Sequence, residues 1–304
     1  MSTFEDHRTL LTGVAYRILG SVADAEDVVQ EAWLRWSGVD QEAVDDPKAY
    51  LVRVTSRLAI DRLRWAKSRR ESYVGPWLPE PISTGPDVAE HAELADSVEL
   101  ALLVVLETLS PLERAVFVLR EAFDLPFAEI AEIIGRAEPA TRQLARRARE
   151  HVREKRPRFD VDRGERRRIT ERFINASANG DLDGLIELFS DEVTMVSDGG
   201  GKARAALRAI TGAEHVGRYL LSINTPANIA RFMASIGMTD VPGISFGTAT
   251  VNNAPALVLS AGGRVITVVS LLVADGKIDT IYLMANPEKI THLEPDAIPE
   301  TDPA

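Results

Sequence analysis

Apolar side chains recur every three or four positions through residues 1–72, the spacing of amphipathic helices. Leu10, Leu11, Val14, Ile18 and Leu19 form the first stripe, which Gly20 closes. Ser21 or Asp24 stands ready to cap a second helix, DAEDVVQEAWLRW. In it Val28, Val29, Ala32, Trp33 and Trp36 are expected to face a core, with Asp24, Asp27, Glu31 and Arg35 on the opposite side. A third helix opens at Pro47 and continues KAYLVRVTSRLAIDRLRW. Leu51, Val54, Leu58 and Leu63 point inward; Arg53, Arg57, Asp61 and Arg64 line the outside, followed by Lys67, Arg69 and Arg70.

The helical pattern breaks at YVGPWLPEPISTGPD, residues 73–87. Four prolines there fix φ and remove donors, which excludes helix or central strand. Such connectors are normally polar, yet this one carries Trp77 and Leu78, which need apolar cover. Helical spacing resumes over 88–158. LSPLERAVFVLREAF has Ser110 as cap and Pro111 at the first helical position. Ile130, Ala131, Ile133 and Ile134 then form a short helix, Gly135 turns the chain, and Pro139 opens the next helix, the spacing of a helix-turn-helix. Thr141, Leu144, Ala145, Ala148 and Val152 face inward, leaving Arg142, Arg146, Arg149 and Arg153 as one exposed stripe.

After residue 158 the texture changes. GERRRITERFINASANGDLDGLIELF reads as two helices broken at Gly180, DEVTMVSD as a strand, and Ile210 to Leu221 as a further helix. ALVLS, RVITVVSLLVADGK and IDTIYLM read as antiparallel strands joined at Gly262-Gly263 and Asp275-Gly276. Helices followed by a meander imply α+β. Residues 294–304, acidic with three prolines, are expected to be disordered.

Net charge is −11, which alone argues against nucleic acid, but it is unevenly spread. Residues 53–70 carry +6 and 141–158 carry +6, leaving −23 on the rest. Two compact basic patches suit two local phosphate contacts. Arginines along a helix-turn-helix suit guanine edges and phosphates in the major groove. There is no cysteine, which excludes disulfides and thiol catalysis. The charged N-terminus and the lack of a long apolar run point to a cytoplasmic protein without membrane contact. Asp198, His215 and Asp279 are the candidates for acid–base chemistry, but no paired carboxylate stands out, so no catalytic residue, metal site or cofactor is expected.

DAEDVVQEAWLRW, DPKAYLVRVTSRLAIDRLR and PFAEIAEIIGRAEPATRQLARRARE resemble regions two and four of bacterial sigma factors, in the order and spacing of the extracytoplasmic-function group. WLPEP, DGGGK and NPEK are similar to motifs of the subgroup with a SnoaL-like C-terminal extension. The resemblance implies a multi-domain chain: two all-α sigma domains plus one α+β SnoaL-like cone with a curved antiparallel sheet. Region two would span 1–72, the linker 73–87, region four 88–158, and the extension 159–293. The implied partners are core RNA polymerase and promoter DNA. Asp24, Asp27, Gln30, Glu31 and Arg35 would meet polymerase. Arg53, Arg57, Arg62, Arg64, Trp65, Lys67, Arg69 and Arg70 would meet the −10 element, where aromatic stacking and positive charge hold separated strands. Arg142, Gln143 and Arg146 would read the −35 element, and Arg147, Arg149 and Arg153 would hold phosphates. The extension would act as a built-in regulator in place of a separate anti-sigma protein, with a small-molecule ligand in its cone a further option. Its expected contact set is Trp77, Leu78, Pro79, Glu80 and Pro81 against Asp198, Gly199, Gly200, Gly201 and Lys202, with Asn286, Pro287, Glu288 and Lys289 nearby; Lys202 is expected to pair with Glu80. The alternatives are a helix-turn-helix regulator that never touches polymerase, for which the helix from Asp24 to Trp36 has no use, and a SnoaL-like isomerase or cyclase.

Overall fold

The computed structural model describes residues 3–84, 99–155, 162–238 and 243–293. The expected tail, 294–304, and the expected boundaries near 87 and 158 lie outside them. The described residues divide into two compact units: 3–72 with 99–155, and 73–84 with 162–293.

The first unit is all helix: α1 (Arg8–Leu19), α2 (Val22–Ser37), α3 (Pro47–Arg70), α4 (Leu100–Glu107), α5 (Pro111–Glu121), α6 (Phe127–Ile134) and α7 (Glu138–Lys155). Local chemistry sets the ends. Ser21 Oγ accepts from Asp24 N, and Asp46 caps α3 from just before its N1 proline. Ser110 and Glu113 close a reciprocal capping box on α5. Leu11, Val14, Ile18, Val28, Trp36, Leu51 and Leu63 are buried together, each contributing on the order of 1.5–3 kcal/mol relative to exposure. Trp36 packs its ring 5.6 Å from Tyr50. Trp33 departs from expectation and is 45% exposed, because it lies about 100° round the helix from Ala32, past the edge of the stripe. Val54 and Leu144 are likewise half-buried.

The second unit has α8 (Arg163–Asn179), α9 (Leu182–Leu188), β1 (Phe189–Asp198), β2 (Ile210–Thr211), α10 (Ala213–Ile223), α11 (Pro226–Ser235), and strands β3 (Ile244–Val251), β4 (Ala254–Ala261), β5 (Arg264–Ala274) and β6 (Lys277–Met284). The sheet order is β2-β1-β6-β5-β4-β3. Three two-residue turns make the meander, each with both residues at positive φ: Asn252-Asn253, Gly262-Gly263 and Asp275-Gly276. The expected all-antiparallel sheet is corrected by one pair. β1 runs parallel to β6, with Met195 opposite Ile281, because the chain leaves the sheet through α10 and α11 before the meander returns beside β1. Ile210, expected to open a helix, lies in β2, and α10 starts after Gly212. Register shifts interrupt the β1–β6, β4–β5 and β5–β6 pairings, with the extra residues on β1, β5 and β6, which bends the sheet. One core between sheet and helices is filled by Phe173, Leu185, Met195, Val216, Val269 and Ile281.

Candidate promoter-binding faces and the strap site

In the first unit α2 and α3 are tied by the residues expected to work separately. Arg62 donates to Asp24 Oδ1 at 2.8 Å and to Asp27 Oδ2 at 2.9 Å. The Asp24 hydrogen bond raises the guanidinium above its ordinary value. Glu31 and Arg35 pair at 2.7 Å on the open surface. Gln30 lines a groove of about 630 Å³ with Phe4, Glu26, Val29 and Trp33.

Along α3, Trp65 is half exposed, with Arg69 4.5 Å and Arg62 5.3 Å from its ring centre. Arg64 pairs with Asp61 at 2.8 Å. Four other cations of α3 turn toward residues 99–155 of the same unit. Arg53 lies 3.3 Å from the Glu132 carboxylate, and Arg57 donates to Glu132 O at 2.7 Å and Ile133 O at 3.3 Å. Lys67 donates to Glu107 O at 3.3 Å and to Leu109 O. Arg70 pairs with Glu107 and donates to Leu19 O at 3.1 Å. The fully buried Arg114 pairs with the same Glu107 and donates to Arg17 O at 3.1 Å. Burial lowers both Lys67 and Arg70 from their ordinary values.

On α7, Thr141, Ala145, Ala148 and Val152 are buried, and Arg142, Gln143, Arg146, Arg147, Arg149 and Arg153 are exposed. Arg142 pairs with Glu138 and lies 4.6 Å over the Phe127 ring; Arg146 pairs with Glu150 and Arg149 with Glu121. Exposed pairs of this kind are worth little, so a phosphate or base edge can displace them.

The second unit answers why a connector carries a tryptophan. Residues 73–84 form a strap bound to its sheet. Asp198, fully buried at the end of β1, is the anchor: Tyr73 Oη donates to Oδ1 at 2.6 Å, while Leu78 N and Lys289 Nζ donate to Oδ2 at 2.8 and 2.7 Å. Lys289 Nζ also donates to Leu78 O at 2.6 Å and lies 3.8 Å from the Trp77 ring centre and 5.0 Å from that of Tyr73. Trp77 therefore covers a buried ammonium. Burial first, then the bond to Asp198, raises the Tyr73 phenol well above its ordinary value. Asn286 Nδ2 donates to Tyr73 Oη at 2.8 Å. Further along, His292 Nε2 donates to Pro81 O at 2.7 Å, Ile82 N to Asn252 Oδ1 at 3.2 Å, and Thr84 N to Thr250 O at 2.8 Å. Leu78, Pro79, Glu80, Pro81 and Ile82 are buried.

Asp198 bonds Leu78 of WLPEP and Lys289 of NPEK, Gly200 lies against Tyr73 and Asn286, and Gly201 against Val74; two details differ from the expected set. Lys202 pairs with Glu288 instead of Glu80. Tyr73, absent from the expected set, makes a 2.6 Å hydrogen bond to Asp198. The glycines are steric necessities: a Cβ on Gly199 would lie 2.3 Å from Ala203 O, and one on Gly200 2.4 Å from Asn286 Nδ2. Pro287 opens the short turn that aims Lys289 inward. Of the acid–base candidates, Asp198 is committed to the strap, and His215 Nδ1 lies 3.3 Å from Thr211 O. Among the described residues no group of side chains could hold a metal ion, and no helix is long and apolar enough to cross a membrane.

Two short helical regions in this order, one with arginines along α3 and one with arginines along a helix-turn-helix, define a sigma-70-type initiation factor. Residues 3–69 match sigma-70 region 2, and residues 99–152 match sigma-70, region 4. The chain is 39% identical to the ECF RNA polymerase sigma factor SigJ of Mycobacterium tuberculosis, over 96% of this chain and 93% of that protein. It is 36% identical to the probable ECF sigma factor SigI of the same species, over 94% and 93%. The crystal structure of SigJ superposes with a TM-score of 0.75 at 38% identity, covering 95% of this chain and 97% of that one. The chain belongs to the ECF RNA polymerase sigma factors. It is an alternative sigma factor, not an enzyme: such proteins bind core RNA polymerase and direct it to promoter DNA.

Proposed function

We propose that the C-terminal unit regulates this sigma factor in cis by gripping the strap, so that no separate anti-sigma protein is needed. The observation that carries the reading is the Asp198 anchor, which binds Tyr73 and the Leu78 amide with Lys289 closing the charge. The strap follows α3 directly in sequence and leads on to region four. Whatever holds it governs the connector between the two DNA-reading regions.

Within those regions Asp24, Asp27, Gln30, Glu31 and Arg35 are assigned to polymerase. A mixed-charge helix face beside the exposed Trp33 suits a partner helix docking by complementary charge around an aromatic anchor. Arg53, Arg57, Arg62, Arg64, Lys67, Arg69 and Arg70 supply positive charge to the −10 strand, and the exposed ring of Trp65 a stacking surface. Arg142, Gln143 and Arg146 read bases at −35, with Arg147, Arg149 and Arg153 on phosphates.

The test is run-off transcription with core polymerase, from a promoter selected by the holoenzyme out of a randomised duplex pool. Asp198→Asn and Trp77→Ala are compared with the unaltered chain. The expected result is a change in promoter output of severalfold, with the helical content and polymerase affinity of the chain kept. Output unchanged in both variants would refute regulation through the strap.

A further inference from the structure

We infer that the C-terminal unit carries a DNA contact of its own, in which Arg204, Arg208 and Arg231 hold phosphates of the spacer duplex beside the −10 element. The inference rests on the assignment of Arg69 and Arg70, at the end of α3, to that element. It goes beyond regulation through the strap, because it gives the unit a direct hold on nucleic acid.

Charge distribution points there first. Residues 199–238 hold five cations, Lys202, Arg204, Arg208, Arg218 and Arg231, against one acid, Glu214, for +4. Together with +6 on 53–70 and +6 on 141–158, this leaves −27 elsewhere. Pairing then sorts the five. Arg218 lies 2.6 Å from the Glu214 carboxylate, and Lys202 pairs with Glu288. Arg204, Arg208 and Arg231 are exposed and have no ion pair among the described residues. Three guanidinium groups without a counter-charge make a local positive potential that suits a phosphate chain.

The fold gathers them beside the strap. Arg204 N donates to Ser235 Oγ at 3.1 Å, which seats its loop on the last turn of α11. Arg231 stands four residues before Ser235, on the same face of that helix. Its Nη1 donates to Asn228 Oδ1 at 3.2 Å, a neutral partner that leaves the charge intact. Arg208 follows Leu207, which lies against the strap: a Cβ on Gly75 would sit 3.6 Å from Leu207 Cδ2 and 3.7 Å from its Cα.

Chain connectivity fixes the reach. Gly75 follows Arg70 by five residues, so the Cα atoms of Arg70 and Leu207 are within about 25 Å of each other however that short link bends. This is less than one turn of duplex, ~34 Å. With Arg69 and Arg70 on the −10 element, the basic loop reaches phosphates within a turn of it. The strap leads on to region four, so the duplex in reach is the spacer toward −35.

The test is the affinity of the holoenzyme for the selected promoter duplex at several salt concentrations. Arg204→Ala, Arg208→Ala and Arg231→Ala should each flatten the log–log salt dependence by about one and weaken binding about two- to fivefold at fixed salt. Preference among single-base variants of both elements should not change, since phosphates carry no sequence. Hydroxyl-radical footprints should lose protection in the spacer within one turn of −10. Arg172→Ala, the same charge change on α8 of the same unit, should do none of this. Arg69→Ala reports separately on the −10 assignment. A flatter slope for Arg69→Ala with none for the three variants would overturn the new contact and leave that assignment standing. The reverse would overturn the −10 assignment while the phosphate contact stands. Equal flattening by Arg172→Ala would reduce the effect to general charge and overturn the proposal. Weaker binding to core polymerase without DNA, at an unchanged DNA slope, would assign the patch to protein and overturn it too.

Discussion

Asp198 and Lys289 form a charge pair with both side chains almost wholly out of water. Removing one partner of such a pair leaves the other uncompensated, at a cost of about 3–5 kcal/mol. Lys289→Ala should lower the denaturant midpoint accordingly, whereas Lys202→Ala, which removes a half-exposed pair with Glu288, should cost under about 1 kcal/mol. Chemical denaturation followed by circular dichroism distinguishes them. Tyr73 adds a pH test. Its phenol is raised in the folded state, so its contribution is complete below the ordinary tyrosine value of about 10 and is lost as pH climbs above that. Tyr73→Phe should remove one late-titrating phenol from the tyrosinate absorbance curve; Tyr282, pushed up to about 12 by burial, should remain. At this scale the sequence was partly legible. Trp77 advertised itself as an apolar ring in a proline-rich connector, and the three glycines of DGGGK signalled close approach. The partner of Trp77 was not legible, because an ammonium 212 positions away leaves no periodic trace. Tyr73 was missed because a tyrosine at the edge of a loop looks ordinary until its hydroxyl is placed.

Helices were legible because their signals are local. Ser21, Asp46, Ser110 and Asp181 each accept from a backbone amide three residues on. The hairpins at Gly262-Gly263 and Asp275-Gly276 were equally local, while Asn252-Asn253, a turn of the same type, passed unnoticed beside the weakly alternating β3. Parallel pairing of β1 with β6 was not legible, since direction depends on the number of crossings between two strands. Helix α7, proposed above as the −35 reader, is tested by two variants. Arg142→Ala should cost about 1–3 kcal/mol at one −35 base pair and relax specificity there. Arg147→Ala should weaken binding alike on all sequences and flatten the log–log salt dependence by about one. Holoenzyme binding to a panel of single-base promoter variants, repeated at several salt concentrations, separates the two.

For the molecule as a whole, the net charge of −11 conceals two cationic helices, the ones assigned above to promoter DNA as a proposal. The sequence also cuts the chain at its prolines, whereas folding assigns residues 73–84 to the sheet unit and leaves the two helical regions together as the other. That assignment has a consequence for how the protein is made. Leu78 is bonded by Lys289, a residue 211 positions later. At about 5–20 residues per second, a ribosome needs on the order of 10–40 s to travel between them. Well before that interval ends both helical regions have been translated, while the grip on their connector does not yet exist. If the strap restrains initiation as proposed, a nascent or prematurely terminated chain is an ungoverned initiation factor, and restraint arrives only with the final segment of synthesis.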